Sequence, residues 1–355
     1  MRRRAAALAV PFCAVLLAVS SCGSIPEDWK TPAFLQSDEE ELDERLPTVT
    51  GEVGEEPELE FPDIAPPEEQ ISGVIHENDE GEGELIRADD MLLAHIVDYQ
   101  WTAKGEYEKT QSTYEAGAPV VLQLEQMGEE LTSDLVDQRV GSRVEYVFPP
   151  QDPEEAAAMG QPEPEPGASV SVVDVKDRFG KGETVSGEQT TDGGDGLPTA
   201  KDEGSDEPEI SVPEGDPPED LESVQLIEGD GPEVEAEQQL IVQYTGVTWD
   251  EGEVFDSTWS RDGAPATFAI GAGQVIEGWD EGLVGENVGS RVMLAVPEDM
   301  AYGGEDAQQS GQDNPEGALV FVVDILGAVD VATPEEQASE DGEDEDDGGD
   351  SGGEE

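Results

Sequence analysis

Apolar residues recur with a period of two along two stretches of this chain, residues 71–179 and 221–329, and glycines punctuate both. Leu240–Tyr244, Val292–Val296 and Ala318–Leu326 are rich in β-branched residues, and each predicts a strand. The best helical candidate is short, Glu277–Val284. The two stretches are copies of one another. Val140-Gly141-Ser142-Arg143-Val144 matches Val288-Gly289-Ser290-Arg291-Val292 residue for residue, and Ala168–Val175 (ASVSVVDV) matches Ala318–Ile325 (ALVFVVDI). Ala118-Pro119 with Leu122 and Leu124 parallels Ala264-Pro265 with Phe268 and Ile270. The predicted fold class is α+β: two mostly antiparallel sheets with little helix.

Elsewhere the pattern fails. Residues 22–70, 180–220 and 330–355 hold acidic clusters, prolines and glycines without a sustained period, which predicts a disordered tether, linker and tail. Of 355 residues, 88 are acidic and 16 basic, for a formal charge of -72. Phosphate binding needs a cationic surface, so this balance excludes nucleic acid as a partner. The start of the chain differs. Arg2, Arg3 and Arg4 precede the apolar run Ala5–Val19, which reads as a signal peptide over residues 1–21. The run ends in Val19-Ser20-Ser21-Cys22, which resembles a bacterial lipobox; that resemblance implies cleavage before Cys22 and its acylation. Two acyl chains suffice for stable anchoring, since each buried methylene contributes about 0.8 kcal/mol. Cys13 lies inside the signal, so no intrachain disulfide is expected. These features predict a lipid-anchored, extracytoplasmic protein at the cell membrane.

Candidate chemistry is defined first by what is missing. The only histidines, His76 and His95, and the two cysteines offer no metal-ligand spacing. Residues 221–329 contain no histidine to activate a Ser or Cys nucleophile. Neither a metal nor a cofactor is expected. What this stretch has is an ordered series of aromatic and aliphatic residues: Tyr244-Thr245-Gly246, Phe255-Asp256-Ser257, Phe268 with Ile270-Gly271, Val275-Ile276-Glu277-Gly278-Trp279, Ala301-Tyr302-Gly303 and Leu319-Val320-Phe321.

That series resembles the FKBP-type peptidyl-prolyl cis-trans isomerases over Leu221–Ala328. The resemblance implies a twisted antiparallel sheet wrapped around a short helix, with a shallow apolar cavity between them. It implies Trp279 as the pocket floor, with Tyr244, Phe255, Val275, Ile276 and Phe321 as walls. The Tyr302 hydroxyl and the Ile276 N–H become donors to substrate carbonyls, and Asp256 a carboxylate at the pocket edge. Phe268 and Arg261 complete the substrate-binding set, while Ile270 and Val322 read as core facing the helix. The implied activity is rotation of X-Pro bonds in secreted polypeptides, with macrolides as inhibitors; the alternative is a non-catalytic chaperone or scaffold lipoprotein that holds proline-containing segments. Residues 71–179 keep the framework and lose the pocket. Leu131 falls at the Trp279 position, Met127 and Gly128 at Val275 and Ile276, Ser171 at Phe321, and Lys109-Thr110 about where Phe255-Asp256 would be. The expected reading is a degenerate, inactive FKBP-like domain.

Overall fold

A computed structural model describes residues 42–78, 83–153, 164–194, 196–201, 207–303 and 314–330. The signal segment, Cys22, the first part of the tether and the acidic tail beyond Asp330 lie outside the described residues. Among those described, no helix is long and apolar enough to cross a membrane.

The first body contains a hairpin, β1 (Thr48–Thr50) and β2 (Glu58–Glu60), and a six-stranded antiparallel sheet. The sheet is built from β3 (Ile71–His76), β4 (Met91–Ala103), β5 (Glu106–Ser112), β6 (Val120–Gln123), β7 (Arg143–Phe148) and β8 (Ala168–Phe179), with a single turn of helix, α1 (Glu129–Thr132), before β7. The second body repeats this plan. Hairpin β9 (Thr199–Lys201) and β10 (Glu209–Ser211) precedes β11 (Glu222–Ile227), β12 (Gln239–Thr248), β13 (Val254–Ser257), β14 (Ala266–Ala269), helix α2 (Glu277–Leu283), β15 (Arg291–Val296) and β16 (Leu319–Val329). Strand order is β3-β7-β8-β4-β5 in one and β11-β15-β16-β12-β13 in the other, with β6 and β14 each pairing the long strand β4 or β12. Even the irregularities recur. A register shift falls between Leu93 and Ala94 against β8, and between Ile241 and Val242 against β16.

The hairpins correct the expected boundaries. The described parts of the presumed tether and linker are ordered, because each hairpin covers the back of its sheet. Leu46, Leu59 and Phe61 pack on Trp101, Val147 and Val170, while Ala200, Ile210 and Val212 pack on Val247, Trp249, Met293, Val320 and Val322. Val322 therefore belongs to the back face, not the helix side. Burial on both faces explains why β16 opens with a continuous apolar run, Leu319–Val323, where a half-exposed strand would alternate. A buried cation ties one hairpin down: Arg143 pairs with Asp174 and donates to the Gly51, Glu52 and Glu55 carbonyls at 3.1, 3.1 and 3.0 Å. Charge-assisted bonds to these turn carbonyls replace the hydration that Arg143 lost on burial.

On the other face of the second sheet, α2 packs against β15. Gly278 and Gly282 permit the close approach, since a Cβ at either would lie 2.4 Å from Val296 or 2.8 Å from Leu294. The core between helix and sheet includes Leu240, Val242, Ile270, Leu283, Val292, Leu294 and Val323.

Candidate active site

Five elements deliver the aromatic residues of the second body to one place. β12 supplies Tyr244, β13 Phe255, β14 Phe268, α2 Trp279 and β16 Phe321. Ring centroids lie 5.3 Å apart for Tyr244 and Trp279, 5.0 Å for Phe268 and Trp279, 5.4 Å for Trp279 and Phe321, and 5.6 Å for Phe255 and Phe321. All four pairs meet edge to face, the arrangement that places a ring's positive edge on its neighbour's negative face. Trp279 keeps 4% of its surface exposed, so its neighbours cover it almost completely. Its indole N–H has no hydrogen-bond partner among the described residues. Phe255, Phe268, Val275, Ile276 and Tyr302 surround this core half-buried, and Val254 beside Phe255 is exposed.

Glycine is needed once more here. A Cβ on Gly246 would lie 2.8 Å from the Phe255 ring and 2.9 Å from that of Phe321, so only a bare backbone lets the two rings meet across β12. Asp280, which the sequence reading did not single out, shapes the approach to the helix. It accepts from the Gly271 and Gly273 N–H groups at 2.7 and 2.9 Å, fixing the turn that precedes Val275 and Ile276. The Ile276 N–H, at the helix N-cap, and the Tyr302 hydroxyl make no hydrogen bond among the described residues.

A polar triad edges the cluster. Tyr244 donates its hydroxyl proton to Asp256, and Arg261, on a 3-10 turn (Trp259–Arg261), pairs with the same carboxylate. Arg261 also donates to the Tyr244 oxygen at 3.0 Å. Burial, reinforced by the bond to Asp256, pushes the Tyr244 hydroxyl up to about 12. Burial raises the Tyr302 hydroxyl too, with the charge of Asp256 adding to it. Both phenols stay protonated at neutral pH and remain donors. The hairpin reaches this region as well: Glu207 accepts from Thr245 at 3.0 Å and from Ser257 at 2.7 Å, pinning β12 to β13. Sequence reasoning missed Glu207, although its neighbours Glu207-Pro208-Glu209 repeat Glu56-Pro57-Glu58.

The first body differs at each of these positions. Strand register places Gln111, not Thr110, at the Asp256 position and Thr110 at that of Phe255, one residue from the expected alignment. The same bulge occurs in both bodies, between Asp98 and Tyr99 and between Gly246 and Val247, but the β4–β5 hairpin is longer than that of β12–β13. Asp98 replaces Gly246 and Ser171 replaces Phe321; Ser171 donates to Asp98 at 2.5 Å, where the second body has ring on ring. Tyr146 donates to the Leu131 carbonyl at 2.6 Å beside the shortened helix. A cavity of ≈ 430 Å³ opens elsewhere on this body, lined by Val53, His95, Tyr114, Val140 and Asp174 among others.

Comparison with known proteins finds its family match on the second body. The sequence profile of the family described as FKBP-type peptidyl-prolyl cis-trans isomerase matches residues 231–326. An FK506-binding protein of Streptomyces anulatus is 45% identical over 121 residues, which span 34% of this chain and 96% of that protein. A probable FK506-binding protein of Corynebacterium glutamicum is 38% identical over 123 residues, 35% of this chain and 99% of that protein. The peptidyl-prolyl cis-trans isomerase FPR2 of Saccharomyces cerevisiae is 42% identical over 85 residues, 24% of this chain and 61% of that protein. With relatives of this identity matched along nearly their full length, the chain belongs to the FKBP-type peptidyl-prolyl cis-trans isomerase family.

Proposed function

We propose that the second body rotates X-Pro bonds of secreted polypeptides at the outer face of the cell membrane, where acylated Cys22 holds the chain. Amide resonance opposes that rotation with a barrier of about 18–20 kcal/mol, and the uncatalysed event takes roughly 10–100 s. Nothing is transferred, so neither nucleophile nor metal is required. Water stabilises the planar, charge-separated amide. An apolar site withdraws that solvation while fixed donors hold the twisted form. Trp279 then acts as the floor, with Tyr244, Phe255, Phe268, Val275, Ile276 and Phe321 as walls. The Tyr302 hydroxyl and the Ile276 N–H bind the carbonyls on either side of the proline, and Arg261 and Asp256 form the rim. The observation that carries this reading is the pairing of an edge-to-face aromatic cluster with two donors that have no partner among the described residues. FK506 itself becomes a proposed inhibitor, through the relatives named for binding it.

The first body is read as an FKBP-like domain that has lost its site. The Asp98–Ser171 pair supports this, since an ion-and-hydroxyl pair offers no dry surface to a prolyl ring. Near-complete burial of Trp279 favours one second reading, a chaperone that grips proline segments at the rim without rotating them. A coupled isomerisation assay on the full chain separates the two. Trp279→Ala should lower kcat/KM by about tenfold or more, given a loss of at least 1.4 kcal/mol at the reacting centre. Peptide binding without acceleration in the wild type would establish the chaperone. In the same preparation Cys22→Ala should move the protein from the membrane fraction to the soluble one; retention would refute the anchor.

A further inference from the structure

The segment that leaves β8 does more than connect the two bodies. Lys181 is half-buried, with 20% of its side chain exposed, and its ammonium gathers carboxylates from both sides. It lies 2.9 Å from Glu125 and 3.9 Å from Asp89 on the first body, and 3.0 Å from Asp262 on the second. The next residue adds a backbone tie, the Gly182 N–H donating to the Gly263 carbonyl at 2.9 Å. A Cβ on Gly263 would sit 2.9 Å from that Gly182 nitrogen, so the approach requires glycine there. Gln243, the buried neighbour of Tyr244 on β12, donates to the same Gly263 carbonyl. Residues 262–263 are thereby held from two directions. Immediately before them sits Arg261, whose guanidinium bonds Asp256 and the Tyr244 hydroxyl.

We propose that Lys181 is a positioning residue for isomerisation: it fixes the turn that carries Arg261 and so couples the first body to the rim of the prolyl site. This inference rests on the reading of Tyr244, Asp256 and Arg261 as that rim. The physical argument is electrostatic. One ammonium offsets three converging carboxylates, and without it Asp262 is repelled by Glu125 and Asp89. Asp262 holds a left-handed conformation (φ 64°) next to Arg261, so its displacement turns the arginine with it and frees its carboxylate to compete for the guanidinium.

The test is steady-state isomerisation of an X-Pro peptide by the full chain. Lys181→Met, which keeps the aliphatic stem, should raise KM about 3- to 10-fold with kcat near its wild-type value, the scale of a small ion-pair network. Asp262→Asn, at an exposed position, should reproduce part of that rise, and Lys181→Arg should restore the wild-type KM. In an Arg261→Met background Lys181→Met should change KM no further, because the residue it positions is gone. A purely structural lysine would instead weaken activity equally in both backgrounds, and that result overturns the proposal. An unchanged KM in Lys181→Met, with Trp279→Ala inactive, overturns it while leaving the site reading intact. Full activity in Trp279→Ala overturns the site reading, and the positioning role falls with it.

Discussion

At the position where the second body buries Met293, the first buries Glu145 on β7, enclosed completely and with neither oxygen hydrogen-bonded among the described residues. Its strand neighbours are Gly73 and Val172, and a side chain at Gly73 would collide with Leu42 and Leu46 from the hairpin side. Burial pushes the Glu145 carboxyl up from its ordinary 4.5 to about 8. The folded state therefore holds this proton over a range in which the unfolded chain has given it up. Unfolding stability must fall as pH rises from about 4.5 to about 8, then level off. The difference between the wild type and a variant without this carboxyl isolates its contribution from that of other titrating groups. Each pH unit of separation is worth about 1.4 kcal/mol, which makes the cost a few kcal/mol at alkaline pH. Denaturant midpoints of the wild type should decline across that window, whereas Glu145→Met, which installs the residue of the second body, should stay flat and exceed the wild type at pH 8. A wild type and variant with parallel profiles would mean that Glu145 reaches water or a partner.

At the scale of elements, the hairpins behave as lids on the backs of both sheets, and they cover two tryptophans at equivalent positions, Trp101 on β4 and Trp249 just after β12. Trp101 is wholly enclosed, and Trp249 keeps 4% of its surface while donating to the Gly215 carbonyl at 3.0 Å. Trp249→Ala should cost about 3–5 kcal/mol, the usual range for a buried indole. It should also speed amide exchange in β9 and β10, leaving the amides of α2 protected. Equal exchange in both elements would mean that the hairpin is not a separate layer. These hairpins also mark what the sequence hid. Each contributes only about three apolar residues amid glutamate, proline and glycine, a composition that elsewhere marks disorder. The legible signal was different in kind. Leu46-Pro47-Thr48 recurs as Leu197-Pro198-Thr199, and the apolar run Leu319–Val323 of β16 requires a cover on both faces. The aromatic residues, by contrast, were readable because their motifs fall in order along one body, and the fold brings Tyr244, Phe255, Phe268, Trp279 and Phe321 together. The one-residue slip at Thr110-Gln111 has a plain origin: β5 is longer than β13 and almost wholly polar, so no apolar position fixes its alignment.

At the scale of the molecule, the question is whether two bodies with one covered aromatic site act as one. Their contact is apolar: Met91, Leu93 and Phe179 of the first meet Ile241 and Val329 of the second, and the Phe179 ring lies where a Cβ on Gly327 would be 2.9 Å away. Cations are scarce, and several are already committed to pairs: Arg143 with Asp174, Arg178 with Asp90, Lys181 with Glu125 and Asp262, Arg261 with Asp256, and Arg291 with Asp324. A chain of formal charge -72 repels itself, so apolar contact and the Lys181 cage must hold the bodies together against that repulsion. Cooperative unfolding follows when the contact free energy exceeds the stability difference between the bodies; otherwise each melts alone. The wild type should therefore show one calorimetric transition. Phe179→Ala removes the ring at the centre of the contact, worth about 3–5 kcal/mol when buried, and should split the transition in two. Added salt should raise the midpoint of both species by screening repulsion, and should draw the split peaks of the variant closer. Two peaks in the wild type at moderate salt would show that the contact does not couple the bodies thermally. Any influence of the first body on Tyr244, Asp256 and Arg261 would then have to pass through the Lys181 and Gly182 contacts alone.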